Sequence, residues 1–171
     1  MVNFNLLSIN NRLVSLDKIR GENGTLIMFI CNHCPYVKAI IKNLVSDCKE
    51  LKKDGVNSVA IMSNDTVNYP EDSFDKMKEF AINNDFDDLE YLFDQSQEVA
   101  KRFGAVCTPD FFGYNKNLEL QYRGRIRELK DLKPLKDGES DLKLAMKMIA
   151  QTQRGPDKQI PSMGCNIKWK Q

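Results

Sequence analysis

The chain has 171 residues, with 25 Lys and Arg against 24 Asp and Glu for a net charge of +1. A hydrophobic share of 42% beside 29% charged residues is that of an ordinary globular domain, long enough to bury a substantial core without staples. The balance of charge gives no reason to expect a nucleic acid or a membrane as partner, and no apolar run approaches the ~18 residues of a membrane span.

The opening stretch, MVNFNLLSINNRLVSLDK, lacks the charged-then-apolar plan of a secretion signal. Short strands are expected at Asn3 to Leu6 and Arg12 to Ser15, joined by a turn. Thr25 to Cys31, TLIMFIC, is a continuous apolar run that reads as a central strand covered on both faces. Val37, Ile40, Ile41, Leu44, Val45, Cys48 and Leu51 then fall at helical spacing, and Gly55 ends that helix. Asn57 to Met62 reads as a second buried strand, followed by the polar loop SNDTVNYPED.

Asp72 or Ser73 is placed to cap a helix carrying Phe74, Met77 and Phe80. Leu89 to Asp94 is a short strand. Ser96 is expected to cap the next helix, which has Glu98 early, Lys101 and Arg102 late and Gly104 just past its end. DFFGYN and LELQYR, joined at Asn115 to Asn117, read as a hairpin, and Asp141 to Gln153 as a last amphipathic helix. The expectation is one α/β domain over residues 1–171, with a mixed central sheet flanked by helices, an N-terminal β-hairpin and an irregular tail over 154–171.

The chemistry concentrates in CNHC, Cys31 to Cys34, at the junction of a buried strand and the helix that it feeds. Two cysteines three apart share a face of the first helical turn, close enough for a disulfide. A helix N-terminus offers unpaired N–H groups and the positive end of the macrodipole, which favour a thiolate. Strand, CxxC and helix together indicate a redox dithiol. A structural zinc site would need a second pair of ligands, but Cys48, Cys107 and Cys165 are single and His33 is the only histidine. Five scattered cysteines point to a cytoplasmic protein whose thiols are mostly reduced. Cys48, on the apolar helix face, reads as core.

Three stretches resemble the thioredoxin-fold redoxin family, the branch that holds the alkyl hydroperoxide reductase and thiol-specific antioxidant proteins. They are FICNHCPYV, VAKRFGAVCTPDFFGYN and the N-terminal FNLLSINNRLVSLDKIRG. CNHCPYV, YPEDS, CTPDFF, YRGRI and GCNIKWK are similar to a group of peroxiredoxin-like thioredoxin-family proteins. The resemblance implies a thioredoxin-like fold and a cis-proline at Pro109 against the dithiol, with the backbone of Thr108 pairing to an extended bound polypeptide. It also implies thiol-disulfide exchange without a bound cofactor. Cys31, as the exposed member, forms the mixed disulfide and Cys34 resolves it.

The family's peroxidase pattern is not kept. Aligned on Cys34 as nucleophile, Cys31 stands at the threonine position, Ile27 at the proline and Pro109 at the arginine. A thiol peroxidase and a metal-binding or carrier module therefore stand as alternatives to the oxidoreductase. Thioredoxins proper have a buried aspartate where this chain has Thr25, and relatives of cytochrome maturation have an acid where it has Val37. Asp65, Glu71 and Asp72 are candidates to replace it. His33, a histidine that is charged part of the time near neutral pH, is expected to favour the Cys31 thiolate. Cys165 is a candidate resolving thiol if the tail folds back, and Cys107 a candidate neighbour of the dithiol. The expected partners are protein or small-molecule thiols and disulfides and a reductant system, for a monomer or homodimer.

Overall fold

The computed structural model describes residues 3–135 and 138–171; Met1 and Val2, the start of the stretch read for a secretion signal, lie outside them. In chain order the elements are β1 Asn5–Ser8, β2 Leu13–Ser15, α1 Leu16–Ile19, β3 Gly24–Phe29, α2 Pro35–Lys52, β4 Val56–Met62 and α3 Phe74–Asn83. There follow β5 Glu90–Phe93, α4 Glu98–Phe103, β6 Cys107–Thr108, β7 Asp110–Asn115, β8 Leu120–Tyr122, β9 Leu129–Lys130, β10 Lys133–Pro134, α5 Asp141–Thr152 and β11 Cys165–Asn166. The short helix α1 and the β9–β10 pair carried no clear signal in the sequence, and the first strand lies two residues later than expected.

Seven strands form one mixed sheet in the order β2-β1-β5-β4-β3-β7-β8. β3 lies parallel to β4 and antiparallel to β7, and β4 lies parallel to β5. All six residues of β3 are buried, as its unbroken apolar run requires. Alternate side chains of a strand point to opposite faces. Leu26, Met28 and Ile30 accordingly pack with Val37, Ile40, Leu44, Met77 and Leu142 from α2, α3 and α5. Ile27 and Phe29 pack on the other face with Leu16, Val99 and Ala100 from α1 and α4. The N-terminal hairpin joins the sheet through β1 against β5.

Helix α2 begins with Cys34 as its N-cap residue and Pro35 at its first position, where the missing N–H costs nothing. It ends at Lys52, and Gly55 turns the chain with φ +78° at a point where a Cβ would meet Asn23 Nδ2 at 2.5 Å. Ser73 caps α3 by accepting from the Lys76 N–H. The expected cap of α4 is corrected. Gln97, with φ +67°, is the cap residue, and the buried Asp94 carboxylate accepts from the Val99 and Ala100 N–H groups. Ser96 bonds only the Glu98 N–H. The tail, expected to be irregular, holds no helix but contributes β11, antiparallel to β6. No helix among the described residues is long and apolar enough to cross a membrane.

Leu44 is fully buried under the sheet, whereas Ile82 is 76% exposed. Leu44→Ala is expected to destabilise the protein by about 2–5 kcal/mol and Ile82→Ala by no more than about 0.5 kcal/mol, as read by urea unfolding.

Candidate active site at the start of helix α2

Strands β3 and β4 are parallel neighbours, so the loops that leave their C-terminal ends lie side by side. The first loop is Cys31 to Cys34, and the second is the polar stretch from Ser63 to Asp72. The second carries the carboxylate that the sequence offered only as a candidate. Asp72 is fully buried, and its carboxylate accepts from the Asn32 N–H at 2.8 Å and from Asn64 Nδ2 at 2.9 Å. His33 Nδ1 stands 2.6 Å from Asp72 Oδ2 without making a hydrogen bond. The attraction is therefore that of an ion pair when His33 carries a proton. The His33 ring stacks on Tyr69 with centroids 5.8 Å apart.

Asn32 is held from three sides, because Tyr91 Oη donates to its Oδ1 at 2.7 Å and its Nδ2 donates to the Glu71 carbonyl. Glu71 thus contributes backbone rather than charge. Asp65 turns its carboxylate to the Val67 N–H and Asn68 Nδ2 within its own loop. Of the three acids considered from sequence, Asp72 is the one beside the thiols.

The Thr108–Pro109 peptide is cis. Thr108 touches both cysteines, with its Oγ1 3.5 Å from Cys31 Sγ and its carbonyl oxygen 3.3 Å from Cys34 Sγ. Its backbone, expected to be open to an extended polypeptide, is instead paired with the chain's own Cys165. Cys165 Sγ lies 2.9 Å from Cys34 Sγ. Cys107 does not join the group: its thiol donates to the Pro109 carbonyl and is pushed up to about 12 by burial and then by the Asp110 carboxylate. Cys48 is buried in the core and its thiol is likewise pushed up by burial.

The expected exposure of Cys31 is corrected. Cys31 is 1% and Cys34 0% exposed. The two thiols are driven apart in acidity. The Cys34 thiol is lowered to about 4, chiefly by the hydrogen bond from Cys31, against burial and with help from Cys165 and from backbone N–H groups of Val37 and Cys165. The Cys31 thiol is raised because it holds the shared proton for Cys34, because it is buried and because Asp72 is negative. The first-turn N–H of Val37 adds to the lowering of the Cys34 thiol, as a helix N-terminus does for a nearby thiolate.

Asn64 and Gln97 were not singled out in the sequence. Asn64 passes from Asp72 to the tail by accepting from the Lys168 N–H, and Gln97 Nε2 donates to the Lys168 carbonyl. The order of parallel strands is the signal that brings Asn64 beside the motif. A separate cleft of about 470 Å³ borders the site through Tyr36 and Pro109 and is walled by Arg125, Ser162 and Met163.

A mixed sheet between helical layers, a CxxC entering a helix and a cis-proline against its sulfurs define a thioredoxin-fold protein of the redoxin kind. The model of the AhpC/TSA family matches residues 1–129, and the chain belongs to that family. It is similar to an uncharacterized conserved protein of Geobacillus kaustophilus, with 38% identity over 99% of this chain and 89% of the other and a TM-score of 0.89. A hypothetical protein of Sinorhizobium meliloti gives 32% identity over 99% and 92% with a TM-score of 0.90. A secreted disulfide oxidoreductase of Mycobacterium tuberculosis shares the fold at 14% identity, over 69% and 80% of the chains, with a TM-score of 0.58. No curated protein matches the chain.

The acidity of Cys34 sets a pH dependence. Its folded value lies below the ordinary 9.0, so its contribution to the stability of the reduced protein is full above that value and falls away as pH drops towards about 4. The stability difference between the reduced protein and Cys34→Ser should therefore grow with pH across that window, and the ultraviolet absorbance of a thiolate at neutral pH should vanish in the variant. A pH-independent difference, with the thiolate retained, would assign the charge to another cysteine.

Proposed function

We propose that the protein is a thiol-disulfide oxidoreductase in which Cys31 and Cys34 cycle between two thiols and a disulfide. The observation that carries this reading is the placement of both cysteines at the start of α2, each in contact with Thr108 of the cis Thr108–Pro109 peptide. Cys31 forms the mixed disulfide with the substrate, and Cys34 attacks it to leave a Cys31–Cys34 disulfide. Thr108 and Pro109 then act as the wall against which both sulfurs are held. No bound cofactor is needed for this exchange, and five scattered cysteines suit a reducing compartment such as the cytoplasm.

Membership of the AhpC/TSA family raises peroxide reduction as an activity. The groups that would polarise a peroxide O–O bond are not at their expected positions, since Pro109 replaces the arginine and Cys31 the threonine, and without such groups the acceleration has no electrostatic source. A metal-carrying role has one observation in its favour. Cys31 Sγ, His33 Nδ1 and an Asp72 oxygen lie within 4.8 Å of one another, a donor set that suits a borderline-soft metal.

Mass mapping of the protein after mild oxidation is expected to find a Cys31–Cys34 disulfide that low-molecular-weight thiols reverse. Cys31→Ser and Cys34→Ser should each remove disulfide-reducing activity. Free cysteines after oxidation, together with stoichiometric metal in the purified protein, would favour the carrier instead.

The role expected for His33 is kept as part of this proposal, with a partner that the sequence did not supply. Protonated His33 offsets Asp72, the charge that raises the Cys31 thiol. His33→Ala is expected to shift the pH profile of Cys31 alkylation upward. An unchanged profile would leave Asp72 compensated by Asn32 and Asn64 alone.

A further inference from the structure

Cys165 has no part in the dithiol proposed above, yet its sulfur lies 2.9 Å from that of Cys34. A disulfide requires ~2.05 Å, so a movement of under about 1 Å closes the bond. The tail that carries it is fixed on both sides. Upstream, Ser162 Oγ donates to the Pro109 carbonyl at 2.7 Å. Gly164 passes so near Thr108 that a Cβ would stand 2.2 Å from its carbonyl oxygen, an approach that only glycine permits. Downstream, the Ile167 N–H bonds the Val106 carbonyl, Ile167 is 1% exposed, and the Asp65 N–H bonds the Lys168 carbonyl. Register, glycine and anchors together set one cysteine against another.

Exposure separates the three sulfurs. Cys31 and Cys34 are buried, while Cys165 is partly exposed. A reagent arriving from solvent meets Cys165 first. It also finds the β6 edge already taken by β11, so an extended polypeptide has no free backbone there to pair with while the tail is in place.

We infer that Cys165 is a third redox thiol, through which the buried Cys31–Cys34 pair exchanges electrons with an external low-molecular-weight thiol or disulfide. The inference rests on the dithiol reading. Starting from the Cys31–Cys34 disulfide, Cys165 sulfur attacks Cys34 sulfur. The Cys34–Cys165 bond forms, the Cys31–Cys34 bond breaks, and the proton of Cys165 passes to Cys31. An external thiolate then attacks Cys165 sulfur, forming a mixed disulfide and expelling Cys34 as a thiolate, and the proton of that external thiol goes to solvent. A second external thiol attacks the mixed disulfide at the external sulfur, releasing an external disulfide, and its proton goes to Cys165. Two external thiols are oxidised to one disulfide, and the protein disulfide takes up two electrons. The leaving group of the second step is Cys34, whose thiol is lowered chiefly by the hydrogen bond from Cys31, and a lower leaving-group pKa speeds exchange. Read backwards, the same steps reduce an external disulfide.

Two variants test this. Cys31→Ser, oxidised with hydroxyethyl disulfide, is expected to contain a Cys34–Cys165 disulfide by mass mapping. Oxidised Cys165→Ser is expected to retain a Cys31–Cys34 disulfide that reduced glutathione opens at least tenfold more slowly than in the unmodified protein. Cys34 and Cys165 both free in the first variant, under conditions that fully oxidise the unmodified protein, would overturn the role of Cys165, as would reduction of the second at the unmodified rate. Absence of the Cys31–Cys34 disulfide from Cys165→Ser would overturn the dithiol reading and this inference with it.

Discussion

A buried carboxylate must be compensated or it does not stay charged, and the compensation of Asp72 organises the site. Asp72 is fully buried, and its partners come from separate parts of the chain. The Asn32 N–H comes from the CxxC loop, Asn64 Nδ2 from the turn after β4, and His33 from between the two cysteines. Each is a hydrogen-bond donor or a potential cation, and each is tied onward. Asn32 is bonded by Tyr91 and Asn64 by the Lys168 N–H of the tail. Removing the charge would therefore loosen the motif loop, the β4 loop and the tail together. Asp72 is a positioning residue for the thiols, acting on Cys31 through its field and on the tail through Asn64.

That field adds to the hydrogen bond with Cys34 and to burial in raising the Cys31 thiol. Two thiols at a helix start compete for the same N–H groups. Here the first-turn N–H of Val37 serves Cys34, while Asp72 opposes charge on Cys31. The two effects act in the same sense, since one stabilises the anion where it is and the other penalises moving it. The result is two thiols of unlike acidity, the Cys34 thiol lowered and the Cys31 thiol raised.

Much of the fold was legible in the sequence because the signals were local. The apolar run of β3 needed cover on both faces and receives it, the periodicity of α2 matched its buried face, and Pro109 was read as cis from the motif around it and is so. The misses were cases where a contact distant in sequence outweighed a local preference. Ser96 has the right chemistry for a cap, but Asp94, held by Ser63 from β4's end, reaches the first-turn N–H groups of α4. Asp72 read as a capping or solvated loop residue because nothing adjacent in the chain shows that its loop lies beside Cys31; that follows only from the parallel pairing of β3 with β4. The exposure of Cys31 was misjudged for the same reason, since its cover comes from other strands and the tail.

The tail raises a further point about where the chemistry of this chain resides. The family match spans residues 1–129, which include Cys31, His33, Cys34, Asp72 and Thr108 but stop short of Cys165. The shared part supplies a strand, a helix start and a cis-proline wall, a frame that holds a pair of sulfurs without fixing what reaches them. The remainder lays β11 along β6 and brings a third sulfur against Cys34. A backbone edge that would otherwise admit a partner strand is thus satisfied within the chain. Such a strand offers its hydrogen bonds at no translational cost, because it is already attached. A free peptide would have to displace it and supply more than those bonds to compete. On the proposed reading, access to the thiols is governed less by the family frame than by the stability of this short internal strand, whose anchors at Ser162, Ile167 and Lys168 lie on both sides of Cys165.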